Sequence, residues 1–552
     1  MNPLFFTIAF LPTVGFGAPP KVTPTRKPAV RAGKLVSGDA FHNAADRVIT
    51  PAAARNYLTF IASDALQGRD TPSFGLDAAA EFLAFNLRSW GVKPGAEDGT
   101  FFQTIYLTRG RLDKEKTMAT VMGRVLKYGD DYVAAQTAGG MFNRGDGKGM
   151  LAYVGHGWQW KSKGINPYDG LDVRGKVLVV STTLPPNLPW NEGKSGQDYM
   201  SPAAMAKSLG ATGIIVLNAG DNDAWKAKAR QIDQGNSRSN FARMQDPAEI
   251  VPAVPTIAIS PELSAALIDG EGLDLPTATD PKATKGKLFA PSKVGLFTVT
   301  REISRQKSQN VVAVIEGTDP ILKAEYVAIG AHYDHVGVRG NAPEGTDRVF
   351  NGADDDGSGT TGVLQIAEAF AKGPKPKRSL IFVWHMGEEK GLWGSEFFTD
   401  HPPVPIGSII AQLNIDMIGR SKKAGDQDRR NAELSGPNDI YVIGSKMLSS
   451  ELGKVSEMAN ASYLKLGFDY RYDAPTDPNR FYFRSDHYNY ARKGIPIIFY
   501  FDGVHEDYHQ LGDEAEKIDY VKLTKVSRTV HATATLLGNM ANRPKVDGKA
   551  RE

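Results

Sequence analysis

The second half of the sequence predicts an α/β sandwich. From about residue 308, apolar segments rich in β-branched residues alternate with helical segments such as "TTGVLQIAEAFA". The apolar segments do not alternate cleanly with polar residues, as expected for strands that are buried on both faces. Helices then cover the sheet, and ligands bind just beyond the carboxyl ends of its strands. The five predicted strands are "NVVAVIEG", "EYVAIGAH", "SLIFVWHMG", "SIIAQLNIDM" and "GIPIIFYFDG".

The first half predicts two helices and then a region of short strands. Thr50 can cap a helix that begins at Pro51, and a second helix fits "LDAAAEFLAFNLRSW" and closes at Gly91. Residues 130–290 contain the strand patterns "GKVLVVS", "GIIVLN" and "VPTIAIS", the small helix "PAAMAKSLG" and many turns, and their charged stretch 221–250 predicts a loop. We therefore expect a β-rich insert that divides the α/β domain into residues 45–129 and 291–545.

The N-terminus predicts an exported protein. "MNPLFFTIAFLPTVGFGAPP" is an apolar run that ends in small residues, which is typical of a secretory signal, although no Lys or Arg precedes the run. We expect a signal peptide over 1–18, a disordered Pro-, Lys- and Arg-rich leader over 19–44, and a periplasmic or secreted location. A short buried segment is the alternative. No later stretch approaches about 18 apolar residues, so no membrane anchor is expected after signal removal.

Composition limits the classes of function. The 552 residues suggest two or three domains. The 65 basic and 62 acidic residues give a formal net charge of +3, so nothing indicates a nucleic-acid partner. Cysteine is absent, which excludes disulfides, thiolate metal sites and a cysteine nucleophile. Any metal must be bound by carboxylates and by the ten histidines.

Side chains that can bind cations follow the predicted strands from the second onward. Because the carboxyl ends of such strands meet at one edge of a sheet, we expect these side chains to lie together. A hydrolytic site with two divalent ions about 3.5–4 Å apart needs a bridging carboxylate, terminal His and carboxylate ligands, and a base for water. The segments concerned are "AHYDH" (331–335), the aspartates at 354–356, "GEEKGLWGSEFF" (387–398), "NIDMIGR" (414–420) and "DGVHEDYH" (502–509).

The aspartate triplet in "VFNGADDDGSGTTG" (349–362) has several readings. A solvated turn is the simplest. A calcium loop fails because its last position holds Gln365 in place of a glutamate, and a phosphate cradle fails because the segment is acidic. The remaining reading is a carboxylate shared by two metal ions. His332 and Asp334 are two residues apart, so on an extended strand they point the same way and Asp334 can orient the His332 ring.

Several ordered motifs resemble one family. "GAHYDH", "NGADDDGSG", "GEEKGLWGS", "NIDMIGR" and "RSDHYNYARKGIPIIFYFDGVHEDYH" are similar to the co-catalytic zinc peptidases related to bacterial leucyl aminopeptidase and glutamate carboxypeptidase. Residues 61–94 resemble the first helices of that catalytic domain, and 130–290 resemble the protease-associated domain often inserted into it. The resemblance covers most of residues 45–540. It implies a three-layer sandwich with a mixed central sheet plus the β-rich insert.

The resemblance also implies five metal ligands: His332, Asp355, Glu389, Asp416 and His509. In this assignment, His332 and Asp416 bind one zinc, Glu389 and His509 bind the other, and Asp355 bridges both. The implied cofactors are two Zn²⁺ ions, which Co²⁺ or Mn²⁺ could replace.

By the same resemblance, Glu388 is the general base that activates a water between the metals, and Asp334 orients His332. The Asp355–Asp356 peptide is expected to be cis. The implied function is an exported aminopeptidase that acts on peptides. A carboxypeptidase of the same fold stays open, because its carboxylate clamp could come from Arg480, Arg484 or Arg492.

Other classes fit less well. A glutaminyl cyclase or a non-catalytic binding protein of this fold should lack part of the ligand set or the base. A serine hydrolase is disfavoured because Ser358 lies in D-G-S-G-T. "HEDYH" (505–509) matches a helical zinc-protease motif, but no amphipathic helix is predicted there. His505 is then expected near the site, and His487 either lines the substrate pocket or braces its loop, while His335, His385 and His401 have no assigned role.

Overall fold

The computed structural model describes residues 38–135, 144–181, 198–238, 241–243, 254–280, 282–340, 343 and 345–551. The predicted signal peptide and most of the predicted leader lie outside these residues. The α-helices in the described ranges are Gly38–Val48, Pro51–Ile61, Phe74–Ser89, Pro202–Leu209, Asn222–Arg238, Pro261–Ile268, Leu275–Ala278, Gly359–Lys372, Trp393–Asp400, Ser450–Ser462, His487–Arg492 and Tyr520–Asn539.

The central sheet is mixed. Four neighbouring strands in its middle are parallel, and the strands that flank them are antiparallel to them. In spatial order the strands are Phe241–Arg243, Phe102–Leu112, Arg301–Ile315, Ser379–His385, Tyr326–His332, Ile409–Ile415, Ile497–Phe501, Asp439–Ile443 and Gly467–Asp469, and Lys93–Pro94 pairs with Arg301–Ile315.

The two faces of this sheet are covered by different helices. In the strand Ser379–His385 every residue is buried, and successive side chains enter opposite cores. Phe382 packs in the core that contains the helices Pro51–Ile61 and Gly359–Lys372, whereas Val383 packs with Phe398 on the other face. Strands of this kind show no polar alternation, which is why they predicted burial on both faces. The predicted three-layer α/β sandwich is confirmed.

The helix starts follow their local signals. The Thr50 hydroxyl accepts a hydrogen bond from Ala53 N at 3.2 Å, and Pro51 takes the first helical position. The next helix begins at Phe74, where the Ser73 hydroxyl accepts from Leu76 N at 3.1 Å. Among the described residues, no helix combines the length and apolar character needed to cross a membrane.

A second sheet is built by residues between Met118 and Val299 and has its own core, which includes Val121, Leu151 and Ile257. The sheet extends beyond the predicted range 130–290, because Val294–Val299 pairs with Gly145–Tyr153 and Met118–Val121 pairs with Val294–Val299. In order its strands are Arg124–Val125, Met118–Val121, Val294–Val299, Gly145–Tyr153, Val177–Val180, Gly213–Val216, Thr256–Ile259 and Tyr132–Ala134, with Lys287–Leu288 paired to Gly145–Tyr153, while Gln159–Trp160 and Tyr199–Met200 form a separate pair.

Two local expectations differ from the structure. The stretch predicted as a loop contains the helix Asn222–Arg238, because Asp221 accepts from Ala224 N at 2.7 Å and Trp225 is buried. The predicted leader extends to residue 44, whereas a helix begins at Gly38, because the ring of Phe41 packs against the buried core of the sandwich.

Candidate metal centre

The register of the parallel strands brings the predicted ligands to one edge of the sheet. His332 ends the strand Tyr326–His332 and lies opposite His385, so Glu388 and Glu389 follow in the next loop. Gly330 is paired with Asn414, which places Asp416 level with His332. Asp355 comes from the segment that enters the helix Gly359–Lys372.

The first group of ligand atoms contains His332, Asp355 and Asp416. The His332 Nε2 atom lies 3.2 Å from Asp355 Oδ1 and 3.6 Å from Asp416 Oδ1. The second oxygen of Asp416 accepts a hydrogen bond of 2.6 Å from the Ser485 hydroxyl. On the far side of the His332 ring, Nδ1 lies 3.2 Å from the carbonyl oxygen of Asp334 and 3.6 Å from its carboxylate Oδ1. The Nδ1 atom of His332, on the side of the ring away from the ligand group, therefore faces Asp334.

The second group shares Asp355 with the first. The His509 Nε2 atom lies 3.0 Å from Asp355 Oδ2 and 3.1 Å from Glu389 Oε2. His335, which had no predicted role, also belongs here, because its Nδ1 lies 2.8 Å from Glu389 Oε1 and 3.8 Å from Asp355 Oδ2. The structure thus brings all five predicted ligands together and adds a histidine that the "AHYDH" motif already contained.

Unpaired buried atoms show that the second group fits a cation. Asp355 Oδ2, Glu389 Oε1, His335 Nδ1 and His509 Nε2 are buried and lack a hydrogen bond. Folded proteins leave few buried polar atoms in this state, and a bound ion is one of the recognised reasons for them. Imidazole nitrogens with carboxylate oxygens are a donor set that Zn²⁺ accepts. The residues therefore fit the ion that the resemblance implies.

Glu388 lies beside both groups without joining either. Its side chain is 12% exposed, and its Oε2 atom is 4.0 Å from His332 Nε2. Burial raises the pKa of Glu388 well above its usual range, and the Asp416 and Glu389 carboxylates raise it further against the opposing effect of His332. Bound divalent cations would act in the opposite direction. A carboxylate in this position can exchange a proton with a water near the ligands.

The three consecutive aspartates have three separate sets of partners. Asp355 alone reaches the two ligand groups, and the Asp355–Asp356 peptide is cis, as the resemblance implied. Asp356 accepts hydrogen bonds from the main-chain N–H groups of His332, Gly359 and Met417 at 3.2, 2.9 and 3.1 Å. Asp354 accepts from Gly419 N at 2.7 Å and faces His505 Nε2 at 3.2 Å.

Asp513 supports the aspartate segment 354–356, and the sequence reasoning did not predict this contact. Its carboxylate accepts hydrogen bonds from Asp354 N at 3.0 and 3.1 Å and from Asp355 N at 3.1 Å. No local pattern in "LGDEA" indicates this contact. The carboxylate fixes the main chain that carries the shared ligand.

The "HEDYH" segment is a turn and not a helix, as predicted. His505 faces Asp354, away from the two ligand groups. His505, Glu506 and Asp507 lie close together, but Lys517 lies 2.9 Å from Asp507 and Arg420 contacts both acids, so these carboxylates already have cationic partners.

Three other histidines contact residues of the surrounding fold. His487 Nε2 lies 2.8 Å from the Tyr482 carbonyl oxygen, and its ring stacks on Phe499. His385 contacts the Tyr490 hydroxyl at 3.0 Å, and His401 packs against the ring of Phe397. None of these three histidines belongs to a ligand group in the described part of the chain.

Part of the chain is similar to known peptidases. Residues 310–534 match the sequence model of Peptidase family M28. The chain is 28% identical over 213 residues, 37% of its length and 52% of the relative's, to a "Probable leucine aminopeptidase" of Arthroderma benhamiae. It is 26% identical over 255 residues, 42% of its length and 49% of the relative's, to a "Probable zinc metalloprotease" of Pyrenophora teres f. teres.

The chain spans about half the length of these curated relatives. Among solved structures, an aminopeptidase from Aneurinibacillus sp. strain AM-1 is similar at 17% identity and a TM-score of 0.46, over 93% of this chain and 100% of that one. The matched region, residues 310–534, contains all five predicted ligands and Glu388. Over these residues, the chain is similar to peptidase family M28.

Proposed function

We propose that the protein is a two-zinc exopeptidase that removes the N-terminal residue of peptides. The observation that carries the proposal is the pair of ligand groups that share Asp355 and have Glu388 beside them. Relatives that are named leucine aminopeptidase and zinc metalloprotease support the same activity and metal. A shared carboxylate between two groups of His and carboxylate ligands supports a count of two ions.

The chain's own residues would perform three tasks. Glu388 would accept a proton from the attacking water and deliver it to the nitrogen of the leaving amine as the C–N bond breaks. Asp334 and Ser485 would hold His332 and Asp416 in place through the contacts described above. Zn²⁺ bound at these ligands would polarise the substrate carbonyl and lower the pKa of water.

The carboxylates around the site favour a substrate with a free α-amine, because a positive charge is stabilised near them. One observation favours the carboxypeptidase as a second candidate. Arg484 donates a hydrogen bond of 3.3 Å to the Tyr508 hydroxyl, and the Tyr508 ring stacks on His509. Arg484 is exposed, so its guanidinium at the rim of the site could also meet a substrate carboxylate.

The test compares one peptide with its N-acetylated and C-amidated forms. An aminopeptidase loses cleavage on acetylation and keeps it on amidation, and the variant Arg484→Met then has little effect. A carboxypeptidase shows the reverse pattern, and Arg484→Met then raises KM. Dialysis against a chelator should abolish either activity, and Zn²⁺ or Co²⁺ should restore it. Full activity in protein shown to be metal-free by elemental analysis would refute both candidates.

We also propose that the second sheet belongs to a protease-associated domain and that the protein is exported. The second sheet contributes no residue to the ligand groups within the described ranges. Its histidine, His156, accepts a hydrogen bond from Trp158 N at 3.0 Å. Fractionation of the producing cells tests export, and N-terminal sequencing of the mature protein tests removal of residues 1–18.

A further inference from the structure

We propose that Thr71 is a positioning residue of the metal centre, an inference that rests on the proposed peptidase function. Thr71 lies about 240 positions before the matched region 310–534. Its side chain is buried, at 3% exposure, between two loops that carry site residues. The Thr71 hydroxyl joins these two loops through its only polar atom.

Both hydrogen-bonding functions of this hydroxyl are used. It donates to Asp334 Oδ2 at 3.0 Å, and it accepts from Gly387 N at 3.1 Å. Gly387 directly precedes Glu388. One hydroxyl therefore ties the carboxylate that faces His332 to the loop that carries the proposed base.

The remaining oxygen of Asp334 completes the link. Asp334 Oδ1 accepts from Glu388 N at 3.1 Å and lies 3.6 Å from His332 Nδ1. Without the hydroxyl, Asp334 Oδ2 and Gly387 N would both lose a partner in a buried place, which is costly. The Asp334 carboxylate, which contacts both the His332 ring and the main chain of Glu388, would then be held less firmly. Groups that orient a metal ligand in this way typically change metal affinity or activity by about 10–100-fold when removed.

The segment before Thr71 is itself firmly held. The buried guanidinium of Arg69 donates to the carbonyl oxygens of Tyr333, Asn351 and Gly352 at 2.9, 2.7 and 2.9 Å. Asp70 lies 2.6 Å from Lys390 Nζ, next to Glu389. These contacts tie the segment to the same loops that carry the ligands, so the position of Thr71 is set by several independent interactions.

The experiment compares Thr71→Val, which removes the hydroxyl at nearly constant shape, with Thr71→Ser, which keeps it. The control is Thr529→Val: that hydroxyl is also buried but donates to the Lys525 carbonyl oxygen within the helix Tyr520–Asn539, which supplies no residue of the ligand groups in the described part of the chain. Each holoenzyme is assayed for kcat and KM, for Zn²⁺ affinity by competition with a chelator, and for thermal stability.

We expect Thr71→Val to lower kcat about 10–100-fold with a smaller change in KM, and to weaken the binding of at least one zinc by a similar factor. Thr71→Ser should stay within about threefold of the wild type in both quantities. Thr529→Val should lower stability only. If Thr71→Val changes stability but neither kcat nor zinc affinity, or if Thr71→Ser is as impaired as Thr71→Val, the proposal is overturned.

Two further comparisons cover a variant that does not fold and a wild type that is inactive. If Thr71→Val does not fold, Thr71→Ala replaces it under the same criteria. If the wild type cleaves no peptide, the proposed function fails, but zinc affinity still compares Thr71→Val with Thr71→Ser. Equal zinc affinities in that comparison would overturn the positioning role separately.

Discussion

Replacing Glu388 by glutamine separates the proposed base from the metal ligands. Glutamine keeps the shape of the side chain but cannot accept the proton from water. The main-chain N–H of residue 388 still donates to Asp334 Oδ1 at 3.1 Å, so the loop should keep its position. Glu388 Oε2 lies 4.0 Å from His332 Nε2 and belongs to neither ligand group. Both metals should therefore stay bound.

The expected loss is large because a general base typically contributes about 10²–10⁴-fold. At about 1.36 kcal/mol per tenfold, this corresponds to about 2.7–5.4 kcal/mol of transition-state stabilisation. The loss should appear in kcat, with KM changed by only a few-fold, because Glu388 would act mainly in the transition state.

The assay measures steady-state kinetics and metal content by elemental analysis on the same preparation. Glu389→Gln is the matched comparison, because Glu389 Oε1 and Oε2 lie 2.8 Å from His335 and 3.1 Å from His509 in the second group. This variant should lose metal. If Glu388→Gln loses metal and Glu389→Gln retains it, the two roles are reversed. Near-normal kcat in Glu388→Gln would refute the assignment altogether.

Three other outcomes are expected. Asp355→Ala should weaken the binding of both ions, since Asp355 faces both groups, and loss of one ion only would contradict the shared position. His335→Phe should lower metal affinity at the second group while leaving the first filled, and unchanged zinc stoichiometry and affinity would show that His335 has no part in binding. Burial lowers the pKa of His509, but the Glu389 and Asp355 carboxylates outweigh it and hold the pKa at about 11 in the metal-free protein. Zinc must therefore displace a proton from His509. Release of this proton should raise the zinc affinity about tenfold per pH unit between about pH 6.5 and 9. Calorimetry that detects no proton release on zinc binding would contradict this.

The sequence alone determined the architecture of the α/β half and the order of its site motifs. Strands buried on both faces carry a continuous apolar pattern, and helix starts carry local caps such as Thr50 with Pro51, so both can be read from neighbouring residues. The segments that contain the five predicted ligands were located because each follows a predicted strand or lies in a glycine-rich turn, and parallel strands present their carboxyl ends at one edge, while the resemblance to zinc peptidases singled out the five residues. The helix Asn222–Arg238 was not predicted, because its mostly polar composition gave no sign that Trp225 is buried.

Only the tertiary structure decided which other residues support the ligands. Asp513 holds the main chain of Asp355, and Thr71 links Asp334 to the loop of Glu388, across separations of 158 and 263 positions. A hydrogen bond between distant segments leaves no periodicity or spacing in either segment, because its partner is set by how the sheet and its loops pack. His335 shows the same limit within a recognised motif. Its ring nitrogen lies 2.8 Å from Glu389 because the fold turns that ring toward the second group. The sequence could name the chemistry at the sheet edge, whereas the packing of distant loops determined the contacts that hold it in place.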